Sequence, residues 1–207
     1  MSQLLRDQGY AATGRAELLT KSGISNGSLY HHFPGGMEEL AEAALQASGE
    51  EVAAALREAI HEAPSAGEGV VLFLDGAQAS VVDGECPGCP VTPTALESAV
   101  VSPRLRAVAA RCFDQWESII ADRLRADGWP EPSVARGASA VLALIEGALL
   151  LARVSADVSH LESAKRAALA LLAAQAPPQQ AGTHKVLRPV ASGADLIDVS
   201  ILAGKPG

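Results

Sequence analysis

The run Ser25-Asn26-Gly27-Ser28-Leu29-Tyr30-His31-His32 places six polar side chains in eight positions. Amide and hydroxyl groups such as those of Asn26 and Ser28 bond the edges of bases. A tyrosine hydroxyl or a histidine ring N–H reaches phosphate oxygens. Adjacent histidines on a helix project in different directions, so His31 and His32 cannot readily chelate one metal, and one is expected to pack while the other faces outward. A second constellation is Cys86-Pro87-Gly88-Cys89-Pro90, with Cys112 as a further thiol. Cys-x-x-Cys spacing suits a structural loop, a thiol or oxidant sensor using Cys86 and Cys89, or half a zinc site. Zinc needs a second ligand pair, and His61, His160 and His184 offer no matching spacing. A thioredoxin-like enzyme needs a βαβ context that this chain lacks, and neither a Gly-x-Ser-x-Gly elbow nor a Gly-rich phosphate loop with its lysine occurs. No enzyme, cofactor or bound metal is expected.

The elements that must position the polar run read as a helix-turn-helix. Thr13 is suited to cap a helix from Gly14 to Ser22, with Ala16, Leu18 and Leu19 facing inward. Gly23 supplies the positive φ that ends it. Ser25 is a good N-cap for the next helix, and Ile24 and Leu29 are spaced to pack back on the first. Asn26, Ser28, Tyr30 and His31 then point elsewhere as a reading face. Pro34-Gly35-Gly36 stops this helix, and a longer one follows. Such a pair enters a DNA major groove.

Nearly half of the 207 residues are hydrophobic, 48%, and aromatic residues make up only 3%. Richness in Ala and Leu predicts an all-α protein with a substantial core. Proline and glycine clusters divide the rest into helices at about 37–63, 68–83, 102–127, 133–155 and 157–174, with a loop over 84–93. The formal net charge of −8 argues against general affinity for nucleic acid or anionic membranes, so any DNA contact must be local to one face. Residues 1–46 carry Arg6, Arg15 and Lys21 against Asp7, Glu17, Glu38, Glu39 and Glu42, so affinity should be modest and steeply dependent on dimerisation. Glu38 and Glu39 suit the first turn of a helix, off the DNA face. The apolar run 138–152 is broken by Ser139, Glu146 and Gly147 and reads as a helix buried on more than one side. No leader or membrane-spanning pattern is apparent, which places the chain in the cytoplasm with no membrane partner.

Gly9-Tyr10, Thr13, Leu18, Ser22-Gly23-Ile24-Ser25, Gly27 to Phe33 and Leu40 together resemble the DNA-binding domain of the TetR family of bacterial regulators. The Tyr30 to Gly36 segment and Gly88-Cys89-Pro90-Val91 resemble the subgroup that governs multidrug-efflux and antibiotic-resistance genes. The resemblance implies an N-terminal three-helix domain over 1–46, with a first helix shorter than usual, and an effector-binding and dimerisation domain over 47–175. Residues 176–207 have linker composition and read as a flexible or loosely docked tail. By resemblance, Thr13, Ser25, Asn26, Gly27, Ser28, Tyr30, His31 and His32 bind DNA. A small, flat, mostly apolar effector would lie among Phe73, Phe113, Trp116 and Ile120, with Gln78 and Glu146 as polar groups. Broad apolar faces on the last two helices suit a homodimer. The resemblance implies that this dimer is a repressor that reads a palindromic double-stranded operator and releases it on binding the effector. The alternative is a ligand-binding or thiol-sensing helical dimer that has lost DNA binding.

Overall fold

A computed structural model describes residues 1–81, 86 and 88–175, and the tail expected at 176–207 lies outside them. Every regular element among the described residues is a helix. The first three form a small head: α1 (Ser2–Gln8), α2 (Arg15–Ser22) and α3 (Asn26–His32). Leu4 and Leu5 of α1, Leu18 of α2 and Leu29 of α3 are buried, so each short helix contributes at least one leucine to the interior. Isolated helices of this length are marginal in water, and this shared burial is what stabilises them. Gly23 ends α2 at φ 69°, and its N–H donates to the Leu19 carbonyl at 3.0 Å. The Ser25 hydroxyl caps α3 by accepting from the Ser28 N–H at 3.1 Å.

Three details of the head differ from expectation. Ala16, expected to face inward, is exposed, and Leu18 is the buried residue of α2. Gly14, not Thr13, is the N-cap of α2, because the Thr13 hydroxyl donates to the Gly9 carbonyl at 2.6 Å. Ile24 is 38% exposed, and Leu29 supplies the inward contact without it. The i and i+5 spacing of those two residues spans a turn before the helix begins, so helical geometry does not bring them to one face.

The body is built on α4 (Gly36–Glu62), which starts in the head and runs out of it. Next come α5 (Ala66–Ala79), α6 (Thr92–Val101), α7 (Pro103–Ala126), α8 (Glu131–Ser155) and α9 (Ser159–Gln175). Ser65 caps α5 by accepting from the Glu68 N–H, and its hydroxyl donates to Glu68 Oε2. Helix α6 falls in a stretch to which the sequence reading assigns no element. Its Thr and Val residues are weak helix formers, while Pro93 in its first turn is compatible with a helix start.

Helix α4 packs against α7 and α5, α7 against α8, α8 against α9, and α9 returns to α5. Leu45, Leu56, Leu74, Leu105, Ile120 and Leu161 are among the side chains that fill the centre. Helix α8, with a mean hydropathy of 1.7, is by length and composition able to cross a membrane. Here its Val134, Ala138, Val141, Ile145 and Ala152 face the core, while Leu150, Leu151 and Val154 are exposed. It is therefore buried on one side of this chain rather than on more than one.

Candidate nucleic-acid interface and ligand cavity

Helix α3 is the shortest route from residue type to function in this molecule. Ser25, Asn26, Gly27, Tyr30, His31 and His32 are exposed, Ser28 is half-buried, and Leu29 beneath them is anchored in the interior. Tyr30 is 43% exposed, and its hydroxyl accepts from Arg15 Nη1 at 3.2 Å, which joins a cation from α2 to the exposed face of α3. Sequence reasoning did not single out Arg15 for this role, although its position in the first turn of α2 was visible. His31 and His32 are both exposed and meet edge to face at 4.9 Å, so neither is packed inside as one was expected to be. Thr13 is buried with its hydroxyl committed to Gly9, so it shapes the turn rather than offering that group to phosphate.

The acidic residues of the head are turned to other work. Glu38 accepts from the Ser102 hydroxyl and Glu42 pairs with Arg104 at 2.5 Å, so both are held against the start of α7. Glu39 accepts from the Gly35 N–H, and Glu17 pairs with Lys21 at 2.9 Å. These bonds account for the excess of acid over base in the head without placing it on α3.

A second set of contacts ties head to body. Arg153 of α8 donates from Nη1 to the Arg6 carbonyl at 2.7 Å and from Nη2 to the Asp7 carbonyl at 2.9 Å, gripping the C-terminal end of α1. The Ala11 N–H donates to Glu97 of α6 at 2.8 Å. Gly88 has φ 68°, and a Cβ there would approach Arg153 Cδ to 2.9 Å, so this turn needs glycine on both conformational and steric grounds.

Beside this junction lies a cavity of about 520 Å³, within the range of roughly 300–1,000 Å³ usual for small-molecule sites. Val52 and Ala59 of α4 form one wall and Phe73, Gly76 and Ala77 of α5 another. Glu146 and Leu149 of α8, Cys89 and Pro90 of the turn before α6, and Arg6 of α1 also border it. Of the residues expected to line an effector site, Phe73 and Glu146 border this cavity. Phe113, Trp116, Ile120 and Gln78 are not part of this cavity. Trp116 is fully buried with its indole N–H donating to the Gly49 carbonyl at 3.0 Å, and Phe113 packs edge to face on it at 5.2 Å. These two rings and Ile120 instead join α7 to the interior. Gln78 accepts from Lys165 of α9 at 2.7 Å, in a cluster that also includes Asp75 and Glu162.

Glu146 accepts from the Thr92 hydroxyl at 2.7 Å, and burial pushes its carboxyl above the usual carboxylate range against the opposing effect of that bond and one from Cys89. Burial, reinforced by the charge of Glu146, pushes the Cys89 thiol up to about 12. A thiol so held is protonated at neutral pH and is a poor nucleophile. Cys86, Cys89 and Cys112 are all buried and unbridged, and no cluster of metal-ligating side chains occurs among the described residues.

Among the described residues the regular elements are helices, and a short polar helix is presented on a helix-turn-helix head joined to a larger helical body, the architecture of a DNA-binding regulator. Residues 2–44 match the bacterial regulatory proteins of the tetR family, and residues 66–167 match the C-terminal domain of LmrA/YxaF-like transcriptional regulators. The HTH-type transcriptional regulator YxaF of Bacillus subtilis is 33% identical over 161 residues, which cover 77% of this chain and 84% of that one. The HTH-type transcriptional regulator Rv0196 of Mycobacterium tuberculosis is 35% identical over 184 residues, covering 84% of this chain and 91% of its own. A TetR transcriptional regulator from Chloroflexus aurantiacus superposes with a TM-score of 0.70 at 27% identity, over 84% of this chain and 90% of that structure. The chain belongs to the TetR family of transcriptional regulators.

Proposed function

We propose that this regulator is a homodimeric repressor that reads a palindromic operator through α3 and releases it when a small, mostly apolar effector enters the cavity beside α4. The observation that carries the reading is the position of that cavity: Val52 and Ala59 in its wall belong to the helix that begins in the head at Gly36. An effector that fits one orientation of α4 better than another changes the populations of DNA-competent and DNA-incompetent forms. In this reading residues 1–46 are the DNA-binding part, and 47–175 hold the effector and the dimer contact.

Exposed Leu150, Leu151 and Val154 on α8 and Leu169 on α9 support pairing of these helices with those of a second copy. A twofold pair would set two copies of α3 on successive major-groove faces, about 34–36 Å apart. The resemblance to regulators of efflux and resistance genes, with LmrA of Bacillus subtilis among the relatives at 32% identity, supports a drug-like effector. Exposure of the polar residues of α3 weighs against the alternative of a dimer without DNA binding, and protonation of Cys89 weighs against thiol sensing.

The test is fluorescence anisotropy of labelled DNA flanking the protein's own gene, titrated with protein and then with candidate apolar effectors. Gly76 borders the cavity with open space where a Cβ would stand, so Gly76→Phe fills the site without a backbone clash. Compounds that release DNA from the wild type should leave the Gly76→Phe complex intact. Release at the same concentration from both would refute an effector site at this cavity.

A further inference from the structure

The cavity has an unmatched donor at its head end. Arg6 is among its lining residues, yet Arg6 Nε is buried without a hydrogen-bond partner. Among the described residues its guanidinium forms no ion pair, although Glu51, Glu58, Glu62 and Glu146 also border the cavity. Glu146 is engaged instead by Thr92 and Cys89. A buried donor left unmade is costly, and a guanidinium has only donors to offer, so what satisfies it must bring an oxygen or another acceptor. Phe73, Val52, Ala77 and Leu149 give the cavity an apolar wall, and among its described lining side chains Arg6 is the one cation beside those four carboxylates.

We propose that Arg6 is a ligand-binding residue and that the effector is an apolar molecule carrying an oxygen acceptor, such as a carboxylate or sulfonate, which bonds the Arg6 guanidinium. The inference rests on the reading of this cavity as the effector site. Its consequence is that the ligand touches the DNA-binding head itself. Arg6 lies in the last turn of α1, and its own carbonyl is one of the two gripped by Arg153. A ligand group on the side chain therefore acts on the helix end that α8 holds through the main chain, in addition to any effect through α4.

Two fluorescent dyes with the same aromatic scaffold separate the possibilities: anilinonaphthalene sulfonate carries the acceptor, and N-phenyl-naphthylamine lacks it. Both are titrated into wild type, Arg6→Met and Gly76→Phe. Arg6→Met should lower affinity for the sulfonate by about tenfold or more, as expected for a lost hydrogen bond to a charged group. It should leave N-phenyl-naphthylamine binding unchanged, which also shows that the variant is folded. Gly76→Phe should abolish saturable binding of both. An unchanged ratio of the two affinities in Arg6→Met, with both dyes still excluded by Gly76→Phe, overturns the role of Arg6 and leaves the cavity reading standing. Binding of both dyes undiminished in Gly76→Phe, or no saturable binding to the wild type, overturns both.

Discussion

Helices α3 and α7 each display aromatic side chains that sequence alone would assign to recognition, and they use them in opposite ways. Tyr30 of α3 is 43% exposed beside exposed Asn26 and His31, whereas Trp116 of α7 is 1% exposed and bonded to the α4 backbone. The difference follows from what surrounds each helix. Helix α3 is seven residues long and is anchored through Leu29, so its other faces remain open. Helix α7 spans 24 residues between α4 and α8 and presents a full stripe of large side chains to both. An aromatic residue reads out a ligand only when its helix has a face left over after packing.

Mutations can break this contrast, beginning with the largest effect. Trp116→Ala removes a fully buried ring and the indole bond to the α4 backbone, so it should cost about 3–5 kcal/mol of stability by urea unfolding. Operator affinity of the protein that remains folded should be unchanged. Asn26→Ala should do the reverse, costing about 1–3 kcal/mol in operator binding by anisotropy if its amide reads a base. Its effect on stability should stay within about 0.5 kcal/mol, as for other exposed sites. A fall in melting temperature matching the loss of binding would make Asn26 a structural residue like Trp116.

Ser25→Ala sits between the two, since it removes the cap of α3. It should cost about 1 kcal/mol of stability, with a parallel loss of operator binding. The subtlest effect concerns Glu146. Its carboxyl titrates above the usual range in the folded chain, so its contribution is fully present below the unfolded value and is lost as pH rises through the folded one. Glu146→Gln should therefore gain stability relative to wild type as the pH is raised from 4 toward 7. Parallel stability curves for the two proteins across that range would show that Glu146 is not desolvated.

Much of the head was legible because its signals are local. Gly23 at a positive φ, Ser25 as a cap and Leu29 as an anchor each depend on neighbours within a few residues. The family was legible for the same reason, since its motif lies within one continuous stretch. The cavity was only partly legible. Phe73 and Glu146 line it, but Arg6, Val52 and Gly76 come from three different helices whose meeting depends on tertiary packing. Phe113, Trp116 and Ile120 carry the same chemistry as cavity residues and differ only in the face they occupy. Helix α6 was missed because weak helix formers dominate it and its exposed Leu96 and Val100 give no amphipathic signal toward the core. Arg153 reaches two backbone carbonyls nearly 150 positions earlier in the chain, a contact that no sequence spacing encodes.

Reading of DNA by α3 is tested by anisotropy of labelled DNA from the flanks of the protein's own gene. Wild type and Asn26→Ala are compared at two salt concentrations with unrelated competitor DNA. Wild type should show competitor-resistant binding that weakens with salt, and Asn26→Ala should lose it at unchanged melting temperature. Equal binding of specific and unrelated DNA, or specific binding that Asn26→Ala leaves untouched, would contradict DNA reading by α3.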